Sequence, residues 1–269
     1  MLRARGEEVC AWGGAARVDL LDRDAVLEAL ARDGPRRVFH LAAVGGRRDA
    51  VHDPAVVGQN TAMVANLLDG MDASSVLVIT GSMAEYGPPP RGGRLRESAR
   101  CAPTTAYGIG KLAATHYALA RGPERGISAR VARLFGVYGP GEADGRLFPH
   151  LVRALSEGVP VPLSDGRQVR DFIHVDDVCE GLLRLAEIDA PRVLVNLGTG
   201  SGVRIRDAAA WTADALGADR ALLRFGAAPR SPGDENRLVA DVTRLRALLS
   251  WVPPQRLRPG MDARELFGG

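Results

Sequence analysis

The sequence predicts an α/β fold, with a doubly wound parallel sheet in the first domain and a smaller, mixed α/β lobe in the second. Short apolar runs alternate with helical patterns over the first half of the chain. Strands separated by helices of about 10 to 15 residues are typical of parallel sheets covered on both faces. After Tyr138-Gly139-Pro140-Gly141 the alternation loosens into shorter segments between Gly/Pro turns. We therefore predict a first domain over residues 1–140 and a second over 141–269, with some later strands and helices returning to the first.

The individual elements follow from their periodicity. Strands are expected at short runs rich in apolar residues, and helices where apolar side chains recur three and four residues apart. The predicted strands of the first domain are 8–12, 37–43, 75–80 and 128–135, and its helices are 23–32, 53–68 and 106–121. In the second domain, helices are predicted at 148–157, 176–187 and 205–216.

The composition excludes several classes of protein. Of the 269 residues, 46% are hydrophobic and 25% charged, which is ordinary for a globular protein. The sequence contains no apolar run of the ~18 residues that a membrane-spanning helix needs, and its first residues lack the apolar core of a secretory signal. The net charge of +3 is spread along the chain, so we expect no nucleic-acid partner.

Cysteine and histidine usage gives two further expectations. Cys10, Cys101 and Cys179 are odd in number, far apart and without a CxxC pair, which favours reduced thiols in the cytoplasm. The histidines, including His40 and His174, show no spacing typical of metal ligands, so no metal is expected.

Lys111 is the only lysine among 35 basic side chains, the other 34 being arginine. It is either a leftover surface residue or one whose compact charge arginine cannot replace. Its context favours the second interpretation, because Tyr107 lies four residues earlier on the same predicted helix face. A neighbouring ammonium stabilises a tyrosine phenolate and lowers its pKa from about 10 toward neutral pH. The pair is therefore a candidate for acid–base chemistry.

Two more polar residues lie where ligands bind in doubly wound sheets. Ser82 follows the strand predicted at 75–80, and the carboxyl ends of strands are the usual ligand edge. Its hydroxyl is suited to hold a substrate oxygen while Tyr107 transfers the proton. Asn60 lies on the preceding helix. Taken alone, either residue is more often a turn or backbone-binding residue.

Together these residues resemble the short-chain dehydrogenase/reductase superfamily, in its extended branch of nucleotide-sugar epimerases, dehydratases and ketoreductases. The resemblance covers nearly the whole chain, in family order. It rests on Asp19-Leu20, His40-Leu41-Ala42-Ala43, Asn60, Gly81-Ser82-Met83-Ala84-Glu85-Tyr86-Gly87, Tyr107-Gly108-Ile109-Gly110-Lys111, and residues 133–141, 170–177 and 196–200. The implied fold is Rossmann-like.

The resemblance implies a role for each matching position. Ser82, Tyr107 and Lys111 correspond to the catalytic serine, tyrosine and lysine. Contacts with NAD or NADP are implied for Asp19, Leu20, Leu41, Ala42, Ala43, Asn60, Thr80, Tyr107, Lys111, Leu134 and Val137. Contacts with a nucleoside-diphosphate sugar are implied for Ser82, Met83, Tyr107, Gly136, Arg170 and Arg230. Arg170 would grip the diphosphate, for which the guanidinium fork is suited, and Arg230 is displaced by one residue from the family's second arginine.

One departure from the family concerns the N-terminal part. The family begins with a strand, a Gly-x-x-Gly-x-x-Gly loop and a helix, and this loop is absent from the sequence. We expect about 20 residues of that βα unit to be missing. Two explanations are expected to account for this departure: the start of the chain is placed too late or trimmed, or the protein is a remnant with weakened cofactor binding.

A second departure from the family reduces the number of possible reactions. In the 4,6-dehydratases an Asp-Glu pair follows the catalytic hydroxyl residue, whereas Met83 and Ala84 stand here and transfer no proton. Hydride transfer at carbon 4 remains, as 4-epimerisation or 4-ketoreduction. The alternatives are a non-catalytic protein that binds a nucleotide sugar or supports a partner, and a ketoreductase of a non-sugar metabolite.

The cofactor preference stays open, because residues 13–17 give no clear preference between NAD and NADP. A homodimer through the helices at 53–68 and 106–121 is implied by the resemblance.

Overall fold

The computed structural model describes residues 1–12, 17–46, 53–89, 93–230 and 235–267, without the side chains of residues 265 and 266. The chain divides into two compact units, which we call unit one and unit two. Unit one consists of Met1–Gly87, Arg100–Arg133 and Leu182–Val195, and unit two of Pro88–Ala99, Leu134–Gly181 and Asn196–Gly269. The domain boundary at residue 140 stays a prediction.

Helices and strands alternate along most of the described chain. The helices are α1 (Arg23–Asp33), α2 (Ala55–Gly70), α3 (Ala106–Glu124), α4 (Leu147–Ser156), α5 (Val175–Ala186), α6 (Ile205–Ala215), α7 (Thr243–Leu249) and α8 (Ala263–Phe267). The strands are β1 (Arg37–His40), β2 (Val76–Ser82), β3 (Ser128–Leu134), β4 (Gly136–Tyr138), β5 (Val161–Leu163), β6 (Val169–His174), β7 (Arg192–Leu197), β8 (Gly202–Arg204), β9 (Leu223–Phe225) and β10 (Arg237–Leu238). No described helix is both long and apolar enough to cross a membrane.

Unit one is organised around a four-stranded sheet in the order β1-β2-β3-β7. Strands β1 and β2 pair in parallel, with His40 opposite Ile79, so their carboxyl ends share one edge. Helix α2 packs against both α1 and α3. The core between sheet and helices is formed by buried apolar side chains, which include Leu67, Leu77, Ile79, Ala118 and Val131.

Local chemistry explains where the helices of unit one begin and end. The Asp22 carboxylate accepts from the N–H groups of Asp24 and Ala25, which caps the start of α1. Gly34 ends that helix with a φ of 51°, in the left-handed region that favours glycine. The Thr105 hydroxyl accepts from the N–H of Gly108 and caps α3 in the same way.

Unit two contains a sheet in which β6 pairs in parallel with β4 and β10 and antiparallel with β8, and a separate parallel pair of β5 and β9. Its core packs α4 and α6 around an aromatic cluster. In this cluster the rings of Tyr138 and Phe148 lie 5.1 Å apart, and Phe148 meets the edge of Phe172 at the same distance.

The predicted α/β, Rossmann-like fold class is confirmed, and most predicted helices agree with the structure to within a few residues. The strand predicted at 8–12 is wrong, because these residues adopt no regular structure. A strand forms only when its backbone pairs with a neighbour, and residues 1–12 are mostly exposed. Strand β1 is also shorter than predicted, since it ends at His40 and leaves residues 41–43 outside the sheet.

Candidate active site

Ser82 is the last residue of β2, and a 3-10 turn over Met83–Glu85 follows it directly. The hydroxyl oxygen of Ser82 accepts from the N–H of Ala84 at 3.2 Å. The Glu85 carboxylate in turn accepts from the N–H of Ser82 at 2.9 Å. This reciprocal arrangement is a capping box, and it fixes the backbone that carries the Ser82 hydroxyl.

The Glu85 carboxylate is fully buried and is shared between several donors. Its Oε1 atom accepts from Ser82 and also from the Thr115 hydroxyl at 3.1 Å, while Oε2 lies 2.8 Å from Nε of Arg133. Burial raises the pKa of Glu85, and the Arg133 charge and these hydrogen bonds oppose the rise. Burial acts to lower the pKa of Arg133, but Glu85 and Tyr86 outweigh it, so this pKa lies above its usual value. The Tyr86 ring centre lies 4.6 Å from the guanidinium carbon. Both members of this ion pair belong to unit one and are buried.

Helix α3 begins against the turn that follows Ser82. A Cβ atom at Gly108 would lie 2.5 Å from the carbonyl oxygen of Ala84, so only glycine permits this close approach. Tyr107, the second residue of the helix, is half-buried. A Cβ atom at Gly46 would lie 3.8 Å from its ring, which brings the segment after β1 to the same place. Tyr107 therefore stands where β1 and β2 end.

Lys111 lies one helical turn after Tyr107 and is only 3% exposed. Burial lowers the pKa of Lys111, and the Glu85 charge opposes this decrease. Burial and the Lys111 charge together lower the pKa of His40, at the end of β1, to about 4. Among the described residues Lys111 has no hydrogen-bond or ion-pair partner, so its ammonium can bind hydroxyls of a ligand.

The segment after β1 exposes three small or apolar side chains, Leu41, Ala42 and Ala43. Leu41 is 58% exposed, so its apolar side chain is accessible to a ligand. Asn60 of α2 supports this segment from below, since its side chain both accepts from and donates to the backbone of Val44. Asn60 Nδ2 also donates to the carbonyl of Val56, which is the third hydrogen bond of this side chain. Asn60 thus binds backbone in the described structure.

The other predicted cofactor residues of unit one lie near strand ends or loops. Thr80 is buried in β2 and donates to the carbonyl of His40 at 3.4 Å. Asp19 is exposed, and its carboxylate accepts from the N–H of Leu21. The carbonyl of Leu20 accepts from Asn66 on α2. Residues 13–16, part of the segment read for cofactor preference, lie outside the described residues.

Unit two carries the remaining predicted residues. Leu134 ends β3, while Gly136 and Val137 lie on β4, and all three are half-buried. Arg170 on β6 is half-buried and donates to the carbonyl of Val169. Arg230 binds Asp165 through Nε at 2.9 Å and Nη2 at 3.0 Å, and also bonds Asn236. Residues 231–234 lie outside the described residues.

Two cavities of unit two do not coincide with these residues. An open groove of about 420 Å³ is lined by Arg167, Val169, Arg204 and Arg206. A smaller pocket of about 220 Å³ includes Glu142, Phe148 and Phe267. Burial raises the pKa of Glu142 to about 7. Within the described ranges no three metal-ligating side chains cluster, and the expectation of no metal stays a prediction.

The sequence patterns alone indicate no role for Glu85, Thr115 or Arg133. Ser82 and Glu85 show the S-x-x-E spacing of a capping box, which was the available signal for Glu85. The pairing of Glu85 with Arg133 joins residues 48 positions apart and depends on the neighbouring positions of β2 and β3.

The sheet, the Ser82 turn and the Tyr107–Lys111 pair define a short-chain dehydrogenase/reductase of the extended type. The model of the NAD dependent epimerase/dehydratase family matches residues 2–198, and the chain belongs to this family. The predicted family and enzyme class are thereby confirmed.

Similar proteins include epimerases, a 4,6-dehydratase and a 4-dehydrogenase named for nucleotide sugars. A UDP-glucose 4-epimerase of Rhizobium meliloti (strain 1021) is 30% identical over 275 residues, which cover 92% of this chain and 81% of the relative. A dTDP-6-deoxy-L-talose 4-dehydrogenase (NAD(P)(+)) of Kitasatospora kifunensis is 32% identical over 243 residues, covering 86% of this chain and 75% of that protein. The structure of a Thermus thermophilus UDP-glucose 4-epimerase with NAD superposes with a TM-score of 0.79 at 29% identity, covering 98% and 90% of the two chains.

Proposed function

We propose that this protein transfers a hydride between NAD or NADP and carbon 4 of a nucleoside-diphosphate hexose, as a 4-epimerase or a 4-ketoreductase. The observation that carries this proposal is the environment of Lys111. This lysine is buried, makes no hydrogen bond or ion pair with a described residue, and lies one helical turn from Tyr107 at the ends of β1 and β2. Burying an ammonium without a partner is costly, so a ligand that supplies acceptors is expected there.

In this proposal Tyr107 is the acid–base residue. During oxidation it takes the proton of the sugar hydroxyl, and during reduction it returns a proton to the ketone oxygen. The positive charge of Lys111 favours the phenolate that this step requires. The hydroxyl of Ser82 accepts from Ala84 and donates to no described residue, which leaves its proton available for the substrate oxygen.

The residues around the site fit a nicotinamide dinucleotide, which supplies or accepts the hydride when bound. Lys111 would bind the ribose hydroxyls next to the nicotinamide. The exposed apolar surface of Leu41, Ala42 and Ala43 is suited to the dinucleotide, and Asp19 with Leu20 to its adenine end. Asn60 would act indirectly, through its bonds to Val44. The remaining cofactor contacts are proposed for Thr80, Leu134 and Val137.

The substrate assignment depends on Arg170 and on the two residues after Ser82. An arginine placed for a diphosphate has no purpose with an uncharged metabolite, so a nucleotide sugar is favoured over a non-sugar ketone. Met83 and Ala84 transfer no proton, which argues against 4,6-dehydration. Met83 and Gly136 would border the sugar. Arg230 is a weaker candidate for the diphosphate, since Asp165 already binds two of its nitrogens.

The proposal includes a cytoplasmic homodimer. Cys10, Cys101 and Cys179 form no disulfide in the described structure, which is compatible with a reducing compartment. Helices α2 and α3 pack against each other, and Ile109 on α3 is 42% exposed, an apolar side chain available to a second copy. Sedimentation of the protein as a dimer supports this part, and a monomer at all concentrations contradicts it.

The test of the proposed function is fluorescence titration with NADH and NADPH, followed by turnover with nucleotide 4-ketosugars and nucleotide hexoses. Lys111→Met is expected to weaken binding of the reduced cofactor at least about tenfold, because charged hydrogen bonds are lost. Arg121→Met is the matched control, since it removes an exposed charge from the same helix. Wild-type protein that binds neither cofactor contradicts the proposal.

A further inference from the structure

We infer that Glu85 is a positioning residue for this reaction: its carboxylate fixes the turn that carries Ser82 and supplies the negative charge that balances the Lys111 ammonium. The inference rests on the proposed hydride transfer. Glu85 lies in the interior of unit one, beneath the turn, and is not proposed to touch the substrate.

The two oxygens of Glu85 have different partners. Oε1 accepts from the N–H of Ser82 at 2.9 Å and from the Thr115 hydroxyl of α3 at 3.1 Å, so one atom joins the serine turn to the helix of Tyr107 and Lys111. Oε2 lies 2.8 Å from Nε of Arg133 on β3. The carboxylate therefore fixes the position of β2's end relative to both α3 and β3.

The Glu85 carboxylate restricts which residue can stand at position 81. A Cβ atom at Gly81 would lie 2.6 Å from Oε1 of Glu85, so glycine at this strand position is required by the carboxylate. A buried ion pair contributes little to stability, because apolar residues of similar volume are often equally stable. Stability alone does not explain why an ion pair is buried beneath Ser82, whereas an electrostatic role toward the site does.

The negative charge of Glu85 also acts on the nearby ammonium of Lys111. Glu85 accepts from Thr115, which lies one helical turn after Lys111 on α3. Burial lowers the pKa of Lys111, and the Glu85 charge opposes this decrease.

Among the described residues, the other titratable groups around Glu85 and Lys111 are His40 at the end of β1, Tyr107 one turn earlier on α3, and Arg133 on β3. Arg133 is paired with Glu85 and also interacts with Tyr86 and Cys101. Helix α2 contributes Asn60 beside Gly110, and this residue is uncharged. Glu85 thus favours the protonated state of Lys111, and this state in turn favours the Tyr107 phenolate.

The sole lysine of the chain allows a direct test. Biosynthetic incorporation of lysine labelled with carbon-13 at Cε gives one side-chain signal, and its chemical shift reports the protonation of Lys111 as pH is raised. In Glu85→Gln the amide oxygen can still accept from Ser82 and Thr115, but the charge is lost. We expect the titration midpoint of Lys111 to fall by about one pH unit or more.

Thr115→Val is the matched control, because it removes a hydrogen bond to the same oxygen of Glu85 and leaves the charge. Its Lys111 midpoint is expected to stay within a few tenths of a unit of wild type. An unchanged midpoint in Glu85→Gln, or an equal shift in Thr115→Val, overturns the inference. Should Glu85→Gln not fold, the double variant Glu85→Gln/Arg133→Met removes both charges of the pair. Loss of the Arg133 cation offsets part of the effect, so a smaller decrease of the Lys111 midpoint is expected, and an unchanged or higher midpoint overturns the inference.

Turnover separates this inference from the proposed function. In Glu85→Gln the decline of kcat at high pH is expected to begin about one pH unit lower than in wild type, with KM for the sugar nearly unchanged. Wild-type protein that binds the cofactor without transferring hydride refutes the proposed function. The lysine titration still decides whether Glu85 sets the charge of Lys111.

Discussion

Asn60 binds Val44 as a neighbouring strand would: its Oδ1 accepts from the Val44 N–H at 3.2 Å, and its Nδ2 donates to the Val44 carbonyl at 3.1 Å. These bonds join α2 to the segment after β1, where the proposed cofactor surface lies. The same side chain bonds the carbonyl of Val56 one turn earlier on its own helix. The shape of the segment at 41–46 therefore depends on one buried amide.

Asn60→Ala tests this dependence. The variant leaves two backbone groups of Val44 without their partner, and we expect the free energy of unfolding to fall by about 1–3 kcal/mol. Affinity for NADH or NADPH is expected to fall about tenfold, because the surface that binds it loses its support. Denaturant unfolding and fluorescence titration measure the two effects.

Thr61→Ala is the control for Asn60→Ala. Thr61 is the next residue on α2 and donates only to the carbonyl of Val57 within its own helix. Its removal is expected to leave cofactor affinity unchanged. Equal loss of affinity in both variants contradicts a specific role of Asn60.

Gly81→Ala tests the close packing under the serine turn. The added methyl group would meet Glu85 Oε1 at 2.6 Å and Val131 at 3.1 Å, both in the core of unit one. We expect a loss of about 1–3 kcal/mol in the free energy of unfolding. Gly58→Ala, which adds the same methyl group on an exposed helix position with open space, is expected to stabilise by up to about 1 kcal/mol. Similar effects of the two variants contradict this account of Gly81.

Arg170→Met tests the proposed diphosphate contact. Loss of a charged hydrogen bond is worth about 1.5–3 kcal/mol, so KM for the nucleotide sugar is expected to rise roughly 10- to 100-fold. The Kd of NADPH should stay unchanged. Arg230→Met is expected to raise KM less, because Asp165 holds that guanidinium. Arg224→Met, at an exposed position of β9, serves as control, and a rise in KM there equal to that of Arg170→Met rules out a specific contact.

The pH dependence of stability tests the burial of His40. The pKa of His40 is about 4 in the folded chain and 6.5 ordinarily, so between these values the unfolded chain binds a proton that the folded chain does not. The contribution of the neutral His40 to the free energy of unfolding is fully present above pH 6.5. It is lost as the pH decreases toward 4, which lowers the free energy of unfolding by up to about 3 kcal/mol. His40→Asn is expected to flatten this slope in thermal unfolding measured across the window, whereas His116→Asn, at an exposed site of α3, should keep it.

Local patterns predicted much of the fold and the acid–base pair. The Tyr107–Lys111 pair and the helices α1, α2 and α3 follow from spacing within one segment. The strand predicted at 8–12 does not form, since a strand depends on a partner that no local pattern specifies. The roles of Glu85 and Asn60 likewise depend on residues that are distant in sequence, namely Arg133 and Val44.

The most direct test of the account is hydride transfer itself. The protein is incubated with NADH or NADPH deuterated at the transferable position of the reduced nicotinamide, together with a nucleoside-diphosphate 4-ketohexose. The product is analysed by mass spectrometry and NMR. An epimerase and a ketoreductase are both expected to place one deuteron at carbon 4, and Tyr107→Phe is expected to lower the rate at least about 100-fold. A wild-type protein that binds both ligands yet transfers no deuteron contradicts the account, and so does full activity in Tyr107→Phe.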